Sequence, residues 1–272
     1  MTQALPPAPG TAPGADAGAR PLLAFFIDLL LALAAMLGLG LAAGIGWGLL
    51  RGVQVGQQAG GALDAAALAQ QIGQPGPVAL VWITLVSTGG TALLLYFWRR
   101  RATAGEGLLS RQAASRASTW GWALLTGGCT FLASTAITAL SQHWGEPPQP
   151  SNVAMIEDAF SASPLLLLAF ALVAAPVYEE VLFRRVLFGR LWAAGRPLLG
   201  LVLSSLVFAL LHEIPGVSGH SLQATLWLWL VYALMGAAFA GLYWHTRTLW
   251  APIAAHALNN GIALAALLLH GS

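Results

Sequence analysis

Seven apolar runs, separated by short stretches richer in polar residues, glycine and proline, set the pattern of this chain: 21–50, 78–98, 120–140, 164–192, 198–212, 222–244 and 249–269. A helix needs about 20 apolar residues to cross a hydrocarbon core of roughly 30 Å, and most of these runs reach that length. The pattern predicts an all-α, polytopic integral membrane protein with about seven transmembrane helices. Residues 1–20 are mainly Ala, Pro, Gly and Thr and carry too little apolar surface to offset ordering entropy, so a disordered N-terminal tail is expected there. The first run is longer than the apolar centre of a cleaved signal and lacks a strongly basic start, so it reads as a retained helix. Gly40, Gly44 and Gly48 lie four residues apart on it and predict a face of close helix approach. A short surface helix is expected over 65–72, and an acidic, proline-broken loop around Glu146, Pro147, Pro148, Pro150, Glu157 and Asp158. The expected organisation is a tail (1–20), N-terminal transmembrane helices (21–144), an extracytoplasmic loop (145–163) and a C-terminal core (164–272).

Composition agrees and excludes other classes. Hydrophobic residues make up 57% and charged residues 8% of the 272 positions, against about 25% charged in soluble domains. All twelve basic residues are arginine, most of them flanking the apolar runs, which is not the Lys/Arg surface that nucleic acid requires. With the N-terminus cytoplasmic, Arg20, Arg99, Arg100, Arg101, Arg111, Arg116, Arg190, Arg196 and Arg247 fall on the cytoplasmic side and Arg51 opposite. That bias predicts a cytoplasmic N-terminus and an extracytoplasmic C-terminus; the membrane is expected to be a bacterial plasma membrane. Trp98, Trp120, Trp144, Trp244 and Trp250 sit near run ends, as interfacial aromatics do. The lone Cys129 has no intrachain partner and reads as a small packing residue.

One run carries charges in its interior. Val177-Tyr178-Glu179-Glu180-Val181-Leu182-Phe183-Arg184 sets two carboxylates and a guanidinium at membrane depth, where an ionisable group costs at least about 2.5–3.5 kcal/mol and faces a cavity or a partner. Glu180 and Arg184 are four residues apart in the favourable acid-before-base order and pair on one face. Glu179 then has no local partner; burial disfavours its charged form and readies it to take a proton. Pro176, one turn earlier, can open the helix wall.

Two further clusters reach the same level. Phe208 and His212 share a face of the fifth run, and His256 and Asn260 share a face of the seventh. At 1.5 Å per residue, His212 lies roughly 22 Å from Pro197, Glu179 roughly 20 Å from Trp192 and Asn260 roughly 17 Å from Leu249. A carboxylate, two imidazoles and an amide around one buried cavity can activate water and stabilise an oxyanion, with Glu179 and His212 holding the water and His256 and Asn260 donating to the oxyanion. Phe208 forms a pocket wall. No cofactor is required by this arrangement. Zinc held by His212, His256 and Glu179 is the alternative.

Glu-Glu-x-x-x-Arg, Phe-x-x-x-His and His-x-x-x-Asn, in this order on successive membrane helices, resemble the CPBP family of CAAX-protease and bacteriocin-processing intramembrane endopeptidases. The resemblance covers about 164–269 and implies a glutamate-dependent peptidase with Glu179, Glu180, Arg184, His212, His256 and Asn260 in matching positions. It implies a peptide or protein substrate in or near the lipid bilayer. Other intramembrane protease signatures are absent: His212-Glu213 runs into Ile-Pro-Gly instead of a zinc-binding His-Glu-x-x-His helix, Gly38-Leu-Gly40 is followed by leucine and not aspartate, and no Gly-x-Ser-x-Gly elbow occurs. The competing function is a non-catalytic membrane partner, an immunity factor or a small-solute transporter using the same buried cluster. His143, His220, His245 and His270 read as interfacial or solvated. Asp28 reads as an inner-interface residue of the first helix.

Overall fold

The computed structural model describes residues 21–59, 64–145 and 149–270, the last without its side chain. The expected disordered tail, with Arg20, lies outside the described residues, as do Glu146, Pro147, Pro148 and the His270 side chain. Among the described residues every regular element is a helix. They are α1 (Pro21–Ala59), α2 (Ala65–Ile72), α3 (Pro77–Arg99), α4 (Ala104–Ala114), α5 (Ala117–Trp144), α6 (Val153–Ala162), α7 (Pro164–Ala193), α8 (Pro197–His212), α9 (Leu222–Thr246) and α10 (Trp250–His270).

Six of these, α1, α3, α5, α7, α9 and α10, are long and apolar enough to cross a membrane, and the protein is an integral membrane protein. The fifth expected span, α8, has 16 residues, about 24 Å of helix, and is shorter than the other six. Helix α1 runs 39 residues, or about 58 Å, well past the expected end at Leu50. Two further helices lie between the apolar runs, α6 within the stretch expected to be a loop. Thr103 caps α4 by accepting from Glu106 N at 3.2 Å while Glu106 accepts from Thr103 N at 2.8 Å, a reciprocal capping box. In α6, Met155, Ile156, Ala159 and Phe160 recur at helical spacing and pack on Val81, Leu167 and Leu264, so the acidic loop is partly an amphipathic helix with Glu157 and Asp158 exposed.

Close helix approach does not run through the expected glycine face. A Cβ at Gly40 would meet Ser87 Oγ at 3.2 Å, but Gly44 and Gly48 have nothing within 4 Å. The tight crossings lie deeper. A Cβ at Gly127 of α5 would stand 2.6 Å from Ala255 O of α10, and one at Gly236 of α9 would stand 3.0 Å from Ser205 Cα of α8. Small residues there let backbones touch where lipid supplies no hydrophobic drive for association. Cys129 is exposed on α5 and is not a packing residue; it lines an open cleft of about 410 Å³ between α5 and α9, with Trp122, Thr130, Ile137, Val231 and Met235.

Helix α7 is irregular where it carries its charges. Wider π-type turns over Phe170–Ala174 and Val181–Phe188 flank the segment Ala175–Glu180. Pro176 has no N–H to donate, and a π turn beside it re-registers the ladder.

One end of the bundle is tied by arginines. Asp28 is fully buried and accepts from Arg99 Nε at 2.7 Å and from Arg190 Nε at 2.8 Å, joining α1 to α3 and α7. Arg185 clasps Glu106 with both terminal nitrogens, at 3.0 and 2.8 Å, and donates to Arg100 O. Burial would lift the Glu106 carboxyl, but the Arg185 clasp and the Thr103 N–H outweigh it and hold the group below its ordinary value. Burial and the nearby Arg185 and Arg190 lower the Arg100 guanidinium to about 10.

Candidate active site

The charged positions of α7 meet residues of α8, α9 and α10 in a layered cluster. Glu180 is fully buried and Arg184 is 1% exposed; Arg184 Nε stands 3.0 Å from Glu180 Oε2, one turn away. That approach lies off the N–H axis, so the pair is held by charge more than by a linear hydrogen bond. The guanidinium donates to Gly236 O at 3.3 Å and sits 4.7 Å from the Phe208 ring centre, 5.4 Å from that of Phe239 and 5.8 Å from that of Phe183. Three aromatic faces and a carboxylate give this cation what water would otherwise supply.

Glu180 has a second task. Its Oε1 accepts from His256 Nδ1 at 2.9 Å, which fixes the proton on that nitrogen and turns Nε2 of His256 toward Glu179, 3.9 Å from Oε2. His212 is fixed the same way from its own helix. Its Nδ1 donates to Phe208 O at 2.8 Å, leaving Nε2 directed at Glu179 Oε2, 3.5 Å away. Both imidazoles therefore present Nε2 to a single carboxylate oxygen that has no hydrogen-bond partner among the described residues. Two lone pairs facing a carboxylate repel unless a proton or a donating molecule such as water lies between them. Separations of 3.5 and 3.9 Å are long for direct hydrogen bonds.

The expected pairing of Glu180 with Arg184 and the convergence of Glu179, His212 and His256 are both present, and Phe208 walls the cluster. Asn260 lies one turn beyond His256, and its Nδ2 donates to Ala171 O at 3.0 Å in the first π turn of α7. Asn259 donates to Asn260 Oδ1 at 3.4 Å, while Thr130 donates to Asn259 Oδ1 at 3.2 Å, which links the amide pair to the wall of the α5/α9 cleft. Among the described residues no three His, Cys, Asp or Glu side chains form a group able to hold a metal ion, so His212, His256 and Glu179 do not form the zinc site of the alternative reading.

Some participants escaped the sequence reading. Glu213 follows His212 and is 1% exposed. Its Oε1 accepts from Ser151 N at 2.8 Å, its backbone carbonyl accepts from Trp229 Nε1 at 2.8 Å, and its Oε2 faces His220 Nε2 at 3.9 Å. His220 is thus not simply solvated; it belongs to the strap that ties the end of α8 to the segment before α6. The other two described histidines are exposed, His143 beside Trp144 and His245 beside Trp122. Aromatic residues of α9 also escaped, because nothing in an apolar run marks which ring meets an imidazole.

Residues 161–262 match the sequence model described as type II CAAX prenyl endopeptidase Rce1-like. A curated protein of Bacillus subtilis (strain 168), described as "Putative membrane peptidase YdiL", is 32% identical over 112 residues, 41% of either chain. The chain thus spans 41% of that relative's length. No solved structure matches. Both the matched segment and the site geometry fall on α7 to α10.

Proposed function

We propose that this chain hydrolyses a peptide bond of a membrane-associated peptide or protein with water activated by Glu179; the match of residues 161–262 to the Rce1-like model and the likeness to the Bacillus subtilis relative support membership of the CPBP family of CAAX-type membrane endopeptidases. The observation that carries this reading is the meeting of two oriented imidazole Nε2 atoms at one unpartnered oxygen of Glu179, at 3.5 and 3.9 Å. Water held between Glu179 and His212 gives a proton to Glu179 as its oxygen attacks the scissile carbonyl carbon. The carbonyl π bond becomes an oxyanion, to which His256, entering the step protonated on both ring nitrogens, donates from Nε2 and Asn260 from its second amide N–H. Glu180, anchored by Arg184, balances the positive charge on His256 while it donates. Collapse of the tetrahedral intermediate breaks the C–N bond, and the proton taken by Glu179 passes to the leaving amine.

Glutamate dependence follows from this scheme: without the Glu179 carboxylate there is no acceptor for the water proton. The chain adopts a cytoplasmic N-terminus and an extracytoplasmic C-terminus in a bacterial plasma membrane, a reading supported by the arginine bias and by the bacterial source of the relative. The test is to purify wild type, Glu179→Ala and His212→Ala in detergent and follow a peptide library by mass spectrometry. Wild type yields fragment pairs whose masses sum to the substrate plus one water, and both variants yield none. Fragments at the wild-type rate from either variant would overturn the assignment.

A further inference from the structure

Helix α9 carries none of the three motifs, yet it touches every charged layer of the site. Tyr232 lies with its ring centre 4.6 Å from that of His212, the planes tilted by 32°. Phe239 stacks on His256 at 5.0 Å and 22°. The two residues are seven positions apart in the sequence, two helical turns, so they stand on one face of α9 about 10 Å apart along its axis. Between them Gly236 offers its carbonyl to Arg184 and has no Cβ, which lets α9 lie against Ser205 of α8. The face Tyr232, Gly236, Phe239 therefore meets one imidazole, the buried guanidinium and the other imidazole in turn.

We propose that Tyr232 and Phe239 are positioning residues, one for each imidazole, and that the face of α9 sets the orientation of both Nε2 atoms at Glu179. The need for such a platform is geometric. One hydrogen bond at Nδ1, to Phe208 O for His212 and to Glu180 for His256, anchors each ring at a single atom and leaves it free to rock about that contact. A ring face beside it removes that freedom. His212 is held in a corner, since Phe208 lies 4.1 Å from it, Tyr232 4.6 Å, and those two only 6.4 Å from each other. His256 has Phe239 along its face and Phe208 edge-on at 6.3 Å. Reacting groups out of place by about 1 Å lose on the order of 10²-fold in rate, so two oriented imidazoles around one oxygen call for this packing. The ring of Tyr232 acts here, and its hydroxyl does not.

The consequence for rate rests on the peptidase reading above; the consequence for imidazole orientation does not. The experiment therefore reads both. Full-length wild type, Tyr232→Phe, Tyr232→Leu and Phe239→Leu, labelled with 15N-histidine, are examined by NMR in detergent micelles, and cleavage of quenched-fluorescence peptides on vesicles is followed in parallel with Glu179→Gln as control. Tyr232→Leu mixes the tautomers or broadens the signal of His212 and leaves His256 sharp; Phe239→Leu does the reverse. Each leucine variant lowers kcat about 10²-fold with KM changed by less than about threefold, while Tyr232→Phe stays within about twofold of wild type. Unchanged imidazole signals in both leucine variants would overturn the proposal. So would a loss of more than tenfold in Tyr232→Phe, a substitution that preserves the ring and decides the matter even where a leucine variant does not fold. If cleavage is the same in Glu179→Gln as in wild type, the peptidase reading fails, and the platform stands or falls on the imidazole signals alone.

Discussion

The pair Glu180 and Arg184 is the place where burial makes the sharpest quantitative demand. Both side chains are 1% exposed or less, so removing one leaves the other as an unpaired charge in a low-dielectric interior, at a cost of about 3–5 kcal/mol. Arg184→Met removes the cation, its bond to Gly236 O and its contacts with three aromatic rings. Glu180→Gln removes the charge but keeps an oxygen for His256 Nδ1. Each single variant should lose about 3–5 kcal/mol. The double variant buries no unpaired ion, so it should be more stable than the sum of the two losses implies, by about 2–3 kcal/mol. Unfolding in mixed micelles of increasing denaturing-detergent fraction, followed by tryptophan fluorescence, completes the cycle. Additivity within about 0.5 kcal/mol would refute the argument that these two charges neutralise each other at depth.

Other outcomes follow from the same contacts. Asp28→Asn should lower stability by about 3 kcal/mol in the same assay, because Arg99 and Arg190 lose the buried charge that joins α1 to α3 and α7. Glu106 has a folded value below the ordinary 4.5, so its contribution is complete above that pH and is lost as pH falls through the folded value. Melting curves of wild type and Glu106→Gln should therefore differ at pH 7 and converge in acid; a gap that widens on acidification would reverse the sign. Gly127→Ala places a methyl 2.6 Å from Ala255 O, which forces α5 and α10 apart; it should cost about 1–3 kcal/mol in melting experiments, whereas Gly44→Ala, with open space around it, should be neutral or slightly stabilising.

Much of the site was legible because charge in an apolar run is conspicuous. Glu179, Glu180, Arg184, His212 and His256 stand out for their cost at membrane depth, and helical rise alone brought them to one level. The double role of Glu180 was not legible, since its bond to His256 spans two distant helices and the sequence offered only the Arg184 partner four residues away. Local signals explain two misses that were avoidable. Thr103-x-x-Glu106 is a capping box in plain view, and the spacing of Met155, Ile156, Ala159 and Phe160 marks an apolar helix face. Asp28 was expected at the inner membrane interface; it is fully buried between helices, and its partners lie 71 and 162 positions away, so no pattern joins them. The glycine spacing of α1 misled for the opposite reason: small residues permit close approach without causing it. Where helices do touch, at Gly127 and Gly236, single glycines suffice because the partner's backbone fills the space.

The most direct test of the account is the isosteric change Glu179→Gln in proteoliposomes with a peptide that wild type cleaves. The amide keeps the size of the side chain and still faces His212 and His256, but it cannot take a proton from water. The melting temperature should stay within a few degrees of wild type while kcat falls by about 10³-fold or more. A Glu179→Gln protein that is folded and cleaves at the wild-type rate would contradict it.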